Sequence, residues 1–117
     1  VLSEAPETLA ARRDDWKKVL KVWYKAVAYL KDPKTHDDAV KIMASRVGLE
    51  PAEYESFING TNILTLDEAK KFMPKAEGFK SLYGSSKIAD DFNVANKVYE
   101  APEDIDAYID MSLMSEL

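Results

Sequence analysis

The sequence contains no cysteine. This absence excludes disulfides, thiolate nucleophiles and cysteine-ligated metal sites, although it does not separate reducing from oxidising compartments. Four glycines and five prolines in 117 residues are too few for a disordered or low-complexity chain. No run approaches the roughly 18 apolar residues that a membrane-spanning helix needs. No stretch alternates apolar and polar residues between turn signals, so the sequence predicts no sustained strand.

Apolar residues make up 46% of the composition, which is enough to form a core, and the length favours one domain. The net charge of −5 is spread unevenly along the chain. Ten basic and ten acidic residues balance over 1–58, whereas six lysines stand against eleven acids over 59–117. An acidic half of this kind disfavours nucleic acids and anionic membranes as partners.

The stretch Asp14–Lys31 predicts a long amphipathic helix, around which we expect the rest of the chain to pack. Its apolar side chains recur at i, i+3, i+4 and i+7. They are Trp16, Val19, Leu20, Trp23, Ala26, Val27 and Leu30, and the opposite face carries Lys17, Lys18, Lys21 and Lys25. Asp14 or Asp15 suits the positive end of the helix, and Asp32-Pro33 should end it. We expect the stripe that bears both tryptophans to be buried.

Further helices are predicted from capping residues and apolar spacing. Their starts fall near Ser3, Thr35, Pro51, Thr65, Ser81 and Glu103, and their breaks fall near Gly48, Gly60, Pro74 and Tyr99. Thr35 with Asp38, and Thr65 with Glu68, have the spacing of a capping box. The tail 111–117 should be loose unless Leu113 and Met114 dock. The predicted fold class is therefore all-α, with five to seven helices of unequal length in a single domain over 1–117.

Two clusters of ionisable residues are candidate metal sites, and neither has the required pattern. His36, the only histidine, lies beside Asp37 and Asp38 in the first turn of a helix, where adjacent side chains point apart. We expect a solvated helix start there. The acidic residues Glu103, Asp104, Asp106 and Asp110 lack the glycine and the terminal glutamate of a calcium-binding loop. For them we expect a solvated acidic face.

The lysines and aromatic residues of Asp14–Lys31 allow a binding interpretation and a structural one. Lys17, Lys18, Lys21 and Lys25 could bind an anion or nucleic acid, but the solvated face of an amphipathic helix is favoured. Trp16, Trp23, Tyr24 and Tyr29 could line a ligand pocket. The spacing of the tryptophans favours core packing, whereas the tyrosines could lie at a rim or an interface.

No signature of catalysis is present. The sequence has no glycine-rich phosphate loop, no nucleophile elbow and no informative pair of carboxylates. A Ser-His-Asp arrangement would have to use His36, whose surroundings do not suit a buried base. The sequence therefore predicts no catalytic residue, no metal ligand and no cofactor, and we expect the protein not to be an enzyme.

The succession of short motifs along the chain resembles one known family. The pieces, in order, are Trp23-Tyr24-Lys25-Ala26-Val27-Ala28-Tyr29-Leu30-Lys31-Asp32-Pro33, Asp38-Ala39, Ile42-Met43-Ala44, Gly48-Leu49, a Pro-x-Glu helix, Gly60, Ile63-Leu64, Leu66-x-Glu68, Ser81-Leu82-Tyr83, Ile88-Ala89-Asp90-Asp91-Phe92, Asn96-Lys97-Val98-Tyr99, Asp106-x-Tyr108-Ile109-Asp110 and Ser112-Leu113. This order resembles the C-terminal portion of ABC-transporter solute-binding proteins of the nitrate, sulfonate and taurine type, which include thiamine-precursor-binding relatives. The likeness extends over nearly the whole chain and lies in the succession, not in one diagnostic motif.

The resemblance implies a two-lobed α/β type II periplasmic-binding-protein fold that closes on a small solute and presents it to a membrane permease. It implies a periplasmic or extracellular location, free or as a membrane-anchored lipoprotein. The chain would be its helical C-terminal fragment, with Val1-Leu2-Ser3 as the end of a strand. Most ligand contacts would then precede residue 1, and the ligand-binding residues and the solute stay unknown. An isolated fragment would keep an uncovered apolar face and could self-associate. The alternative is a free-standing helical protein-interaction module.

Overall fold

The protein is all-α in its computed structural model, which describes residues 3–117. The predicted fold class is confirmed, because the described residues form eight helices and no strand. Val1 and Leu2, where the sequence suggests a strand end, lie outside the described residues. The helices are α1 (Pro6–Ala11), α2 (Arg13–Lys31), α3 (His36–Val47), α4 (Pro51–Asn59), α5 (Leu66–Phe72), α6 (Leu82–Ala95), α7 (Ile105–Tyr108) and α8 (Ser112–Ser115).

The helix count differs from the predicted five to seven because the tail is ordered. Leu113 and Met114 are buried, and their short helix α8 lies against α5. The tail would have been loose unless Leu113 and Met114 docked, and their burial shows that they do. In the described part of the chain, no helix combines the length and the apolarity needed to cross a bilayer.

Most of the helix boundaries follow the predicted signals. Pro51 occupies the first turn of α4, and α2 ends at Lys31, before Asp32-Pro33. Gly48 ends α3 in the left-handed conformation, with φ of 71°, which a glycine adopts without steric cost.

Helix α6 is shorter than the predicted span to Tyr99. It ends at Ala95 because Lys97 adopts a left-handed conformation with φ of 59°. The amides of Val98 and Lys97 donate to the carbonyls of Asn93 and Val94, which is the Schellman pattern. This helix end could not be predicted from the sequence, because a lysine occupies the position where glycine is usual.

The chain divides into two compact units, with the division between Thr65 and Leu66. In the first unit, α3 contacts both α2 and α4, and α1 contacts α2. The buried cluster there consists of Leu30, Ala39 and Val40, and the partly buried residues around it are Met43, Tyr54, Ile58 and Ile63. In the second unit, α5 contacts α8, and α6 contacts α7.

Helix α2 is buried at its C-terminal end and not along the predicted tryptophan stripe. Val27 and Leu30 are its buried residues, whereas Trp16 is only half-buried and Trp23 is 47% exposed. The prediction of a buried tryptophan stripe is therefore wrong for Trp23. The physical reason is that α3 covers one side of an apolar arc that is wider than one neighbouring helix can bury.

The docked tail should contribute to the stability of the protein. Leu113→Ala should lower the free energy of unfolding by about 2–3 kcal/mol, because it removes a buried side chain and leaves a partly collapsible cavity. Chemical denaturation followed by circular dichroism measures the change. Val98→Ala, at a residue that is 65% exposed, is the matched control and should change stability by less than about 0.5 kcal/mol. Equal effects of the two variants would contradict the docked tail.

Candidate functional site

His36 joins three helices of the first unit. Its Nδ1 atom lies 2.7 Å from the carbonyl oxygen of Leu30 in α2, and its Nε2 atom lies 3.0 Å from a carboxylate oxygen of Glu55 in α4. The side chain is 32% exposed, so the helix start is only partly solvated at His36, and the prediction did not include its two bonds to other helices. The sequence could not show this role, because Glu55 is 19 residues further along the chain.

The surroundings of His36 favour its charged form. A carbonyl and a carboxylate both accept hydrogen bonds, so each ring nitrogen is best satisfied when it carries a proton. The bond to the Leu30 carbonyl is the largest cause that raises the pKa of His36 above 6.5, and the Glu55 bond adds to it. Asp37, on the same helix, acts in the same direction.

Thr35 and Asp38 bind Tyr29 instead of forming the predicted capping box. The Thr35 hydroxyl donates to the carbonyl of Tyr29 at 2.6 Å, and the Tyr29 hydroxyl donates to Asp38 at 2.8 Å. No side-chain cap bond forms at Thr35. The capping prediction is wrong here because the sharp turn after α2 brings Tyr29 within reach of both residues.

Three of the four acidic residues near the C-terminus have separate local partners for their side chains. Asp104 accepts from the amide of Asp106 at 3.2 Å, Asp106 pairs with Lys75 at 2.7 Å, and Asp110 accepts from the amide of Ser112 at 2.7 Å. Among residues 3–117, no group of three or more potential ligands could hold a metal ion. These carboxylates therefore cap short helices and pair with lysine.

A cleft of about 690 Å³ in the second unit is a candidate binding site. Its walls come from the loop after α5, from α6 and from the segment 102–106. The Nζ atom of Lys75 lies 5.2 Å above the ring centre of Tyr83, while it pairs with Asp106. Six carboxylates and two lysines line the cleft, so its electrostatic character is acidic. Such a cleft disfavours anions.

A close backbone crossing forms one wall of this cleft. A methyl group on Gly84 of α6 would overlap the backbone oxygens of Gly78 and Ala76. The buried Ser81 hydroxyl holds the same loop, because it donates to the carbonyl of Pro74 at 2.7 Å and accepts from the amide of Ala76. The glycine inside a helical pattern was the available sequence signal for this crossing.

Asp90 is the buried carboxylate of the second unit, with an exposed fraction of 4%. It accepts from the amide of Glu103 at 3.0 Å and from the hydroxyl of Tyr99 at 2.8 Å. The bond from Glu103 is the largest cause that lowers the pKa of Asp90 below 3.8, and the Tyr99 bond adds to it. Asp90 is therefore a structural carboxylate that ties segment 99–103 to α6.

The remaining candidates lie on α2 and are not gathered into one pocket. Lys18 pairs with Asp15 at 3.1 Å, and Lys17 lies 3.7 Å from Asp14. Tyr24 is half-buried, and burial raises its pKa. Lys21 and Lys25 are exposed, as is Trp23. The aromatic residues thus lie partly on the surface, and they do not enclose a ligand-sized cavity in the described structure.

The bonds of His36 predict that the first unit loses stability as the pH rises above about 6.5. Because the folded pKa is raised, the contribution is fully present below about pH 6.5 and is lost as the pH rises through the folded value. Unfolding by urea between pH 5.5 and 9 should show this decline, and His36→Gln should remove it. An NMR titration of the single histidine should give a pKa above 6.5.

Two matched variants on α4 separate this tie from a general charge effect. Glu55→Gln should lower the pKa of His36, whereas Glu53→Gln removes a carboxylate from the same helix and should leave it unchanged. A histidine that titrates at or below 6.5, or equal responses to the two variants, would contradict the tie.

The crossing at Gly84 predicts that alanine is not tolerated there. Gly84→Ala should lower the free energy of unfolding by about 1–3 kcal/mol, because overlap with backbone outweighs the gain in helix propensity of up to about 1 kcal/mol. Gly60→Ala is the control, since its methyl group would meet only oxygens at 3.6 and 3.7 Å. Thermal denaturation of both variants measures the difference, and an unchanged or more stable Gly84→Ala would refute the crossing.

No protein-family model, curated protein or solved structure matches the chain. The assignment of a function therefore depends on the residues themselves and on which faces of the helices are buried or exposed.

Proposed function

We propose that the chain is the C-terminal helical portion of a solute-binding protein of an ABC importer, of the nitrate, sulfonate and taurine type. In this proposal it acts outside the cytoplasm, in binding and delivery of a small solute to a membrane permease, and it has no catalytic role. The order of the motifs suggests the family, and the orientation of α6 supports it.

Helix α6 buries Gly84 and Asp90 and leaves its apolar stripe of Ile88 and Phe92 exposed. Asp90 is buried, whereas Phe92 is 65% exposed and Ile88 is 38% exposed. A helix normally buries its apolar stripe against another layer of secondary structure. The outward stripe is the observation that carries the proposal, because helices that cover a sheet in a larger protein would have such a face.

The chemistry of the cleft agrees with solute contacts that precede residue 1. Nitrate and sulfonates are anions, and the cleft of the second unit carries a large excess of carboxylates. Coulomb repulsion at short range would oppose binding of these anions there. We therefore assign none of the cleft residues to the solute.

The alternative is a free-standing helical interaction module. Val47 and Phe57 of the first unit are 58% and 56% exposed, and a partner protein could cover them. This alternative requires no preceding lobes, and it treats the 117 residues as complete in their packing.

Substitution of the outward stripe distinguishes the two proposals. In the chain alone, Ile88→Ser with Phe92→Ser should change stability by less than about 1 kcal/mol, because both residues are exposed. In the longer protein encoded by the same reading frame, the same pair should cost several kcal/mol, because the stripe would be buried. Val98→Ser, at another exposed residue, is the control in both proteins.

The ligand part of the proposal is tested by thermal shift. The longer protein should be stabilised by one member of a panel of nitrate, taurine, other sulfonates, bicarbonate and thiamine-related pyrimidines, since a ligand of the native state raises its stability. The 117 residues alone should show no shift. A reading frame without preceding α/β lobes, or a small effect of the serine pair in both proteins, would favour the interaction module.

A further inference from the structure

Helix α2 presents an exposed apolar row that is distinct from its buried residues. Val19, Val22, Trp23 and Ala26 are all exposed, and they follow the i, i+3, i+4, i+7 spacing of one helix face. Val22 is 66% exposed and Val19 is 44% exposed. Of the two buried residues of α2, Leu30 continues this row one turn further along the helix, where α3 begins to cover it, and Val27 lies on the adjacent side.

Lysines border this row on its solvent side. Lys18 precedes Val22 by four residues and Lys25 follows it by three, so both are its neighbours on the helix surface. Helix α2 contains six basic and two acidic residues, a local charge of +4 in a chain of net charge −5. The ion pair of Lys18 with Asp15 is exposed and contributes little, so the ammonium can still meet an external anion.

The size of the row argues against a second copy of the chain as its occupant. Val19, Val22 and Trp23 of this row together expose roughly 300 Å², if a tryptophan side chain offers about 250 Å². A stable protein–protein interface buries about 800 Å² on each partner, of which roughly 450 Å² is apolar. A bilayer has no such requirement, because partition grows with whatever apolar area is inserted.

We propose that the Val19–Ala26 face of α2 binds the surface of an anionic lipid bilayer. The valines and Trp23 enter the boundary between headgroups and acyl chains, while Lys18 and Lys25 extend to the lipid phosphates. Tryptophan suits this depth because its ring is apolar and its indole N–H can donate to the wet side. This inference uses a different helix from α6 and does not depend on the proposed function.

The acidic half of the chain does not prevent this contact. The excess of acids lies in residues 59–117, whereas the lysines of α2 lie within residues 17–31. Charges are screened beyond about 8–10 Å at physiological salt, so the bilayer responds to the charge of the face that touches it. The net charge of the chain disfavours an anionic membrane, but the local positive charge of α2 decides the contact proposed here.

Both tryptophans lie on α2, which gives a direct readout. In the full chain carrying Trp16→Phe, Trp23 is the only tryptophan. Its emission should shift to the blue with vesicles of phosphatidylglycerol and phosphatidylcholine, and brominated lipids should quench it. Phosphatidylcholine vesicles alone should give a much weaker response, and salt should weaken binding to the anionic vesicles.

A matched pair of variants tests the role of the lysines. Lys18→Gln with Lys25→Gln should lower the partition coefficient roughly 10- to 30-fold. Lys41→Gln with Lys70→Gln changes the net charge equally, at two exposed lysines outside α2, and should lower it less than about threefold. Circular dichroism of each variant confirms that the helices are retained.

Three results would overturn the proposal. They are the absence of binding to anionic vesicles at low salt, equal losses in the two lysine pairs, and binding without a shift of Trp23 emission. Sedimentation velocity tests the alternative occupant, a second copy of the chain. If the protein does not bind vesicles but forms a dimer that Val22→Asp dissociates, a second copy covers this face.

Discussion

The hydrogen bond from His36 to the carbonyl of Leu30 fixes the arrangement on which the first unit depends. It joins the start of α3 to the last turn of α2, and the second ring nitrogen extends the link to Glu55 of α4. The buried cluster of Leu30, Ala39 and Val40 lies beside this junction. Few side chains of this unit are fully buried. Hydrogen bonds between the ends of helices therefore help to position the helices, and apolar burial and dispersion then stabilise that arrangement.

In the second unit, too, hydrogen bonds of polar side chains hold segments of the chain against a helix. Ser81 holds the loop before α6, and Asp90 holds the segment after it. These bonds place polar groups inside, and the apolar residues of α6 remain on the outside. The first unit shows a related imbalance on α2, where apolar residues cover a wider arc than α3 can bury. The two outward faces differ in their borders, since lysines flank the row on α2, whereas the exposed charges beside the stripe of α6 are Lys87 and Asp91, which form an ion pair with no net charge. This difference is why a protein layer is proposed for one face and a lipid surface for the other.

Local sequence signals predicted much of the helical framework, and long-range contacts account for what they missed. Pro33, Gly48 and Pro51 act through their own backbone preferences, so their effects could be predicted from the sequence. The left-handed Lys97 could not be predicted, because lysine has no preference for that conformation. The exposure of Trp23 depends on which side of α2 is covered by α3, and periodicity alone does not contain that information. The same holds for the candidate sites, since His36 meets Glu55 and Lys75 meets Asp106 only through the fold.

The hydrogen bonds of the buried Asp90 and of the partly exposed His36 respond to protons in opposite directions, which defines a pH interval in which both sets of bonds are intact. The Asp90 tie contributes fully above about pH 3.8, since its folded pKa is lowered, and it weakens only under stronger acid. The His36 tie contributes fully below about pH 6.5. Both ties are therefore intact together in mildly acidic solution, and departure from that interval loosens one unit while the other keeps its tie. A fall in pH thus weakens the second unit and a rise weakens the first, so the direction of a pH change selects which half of the chain is loosened.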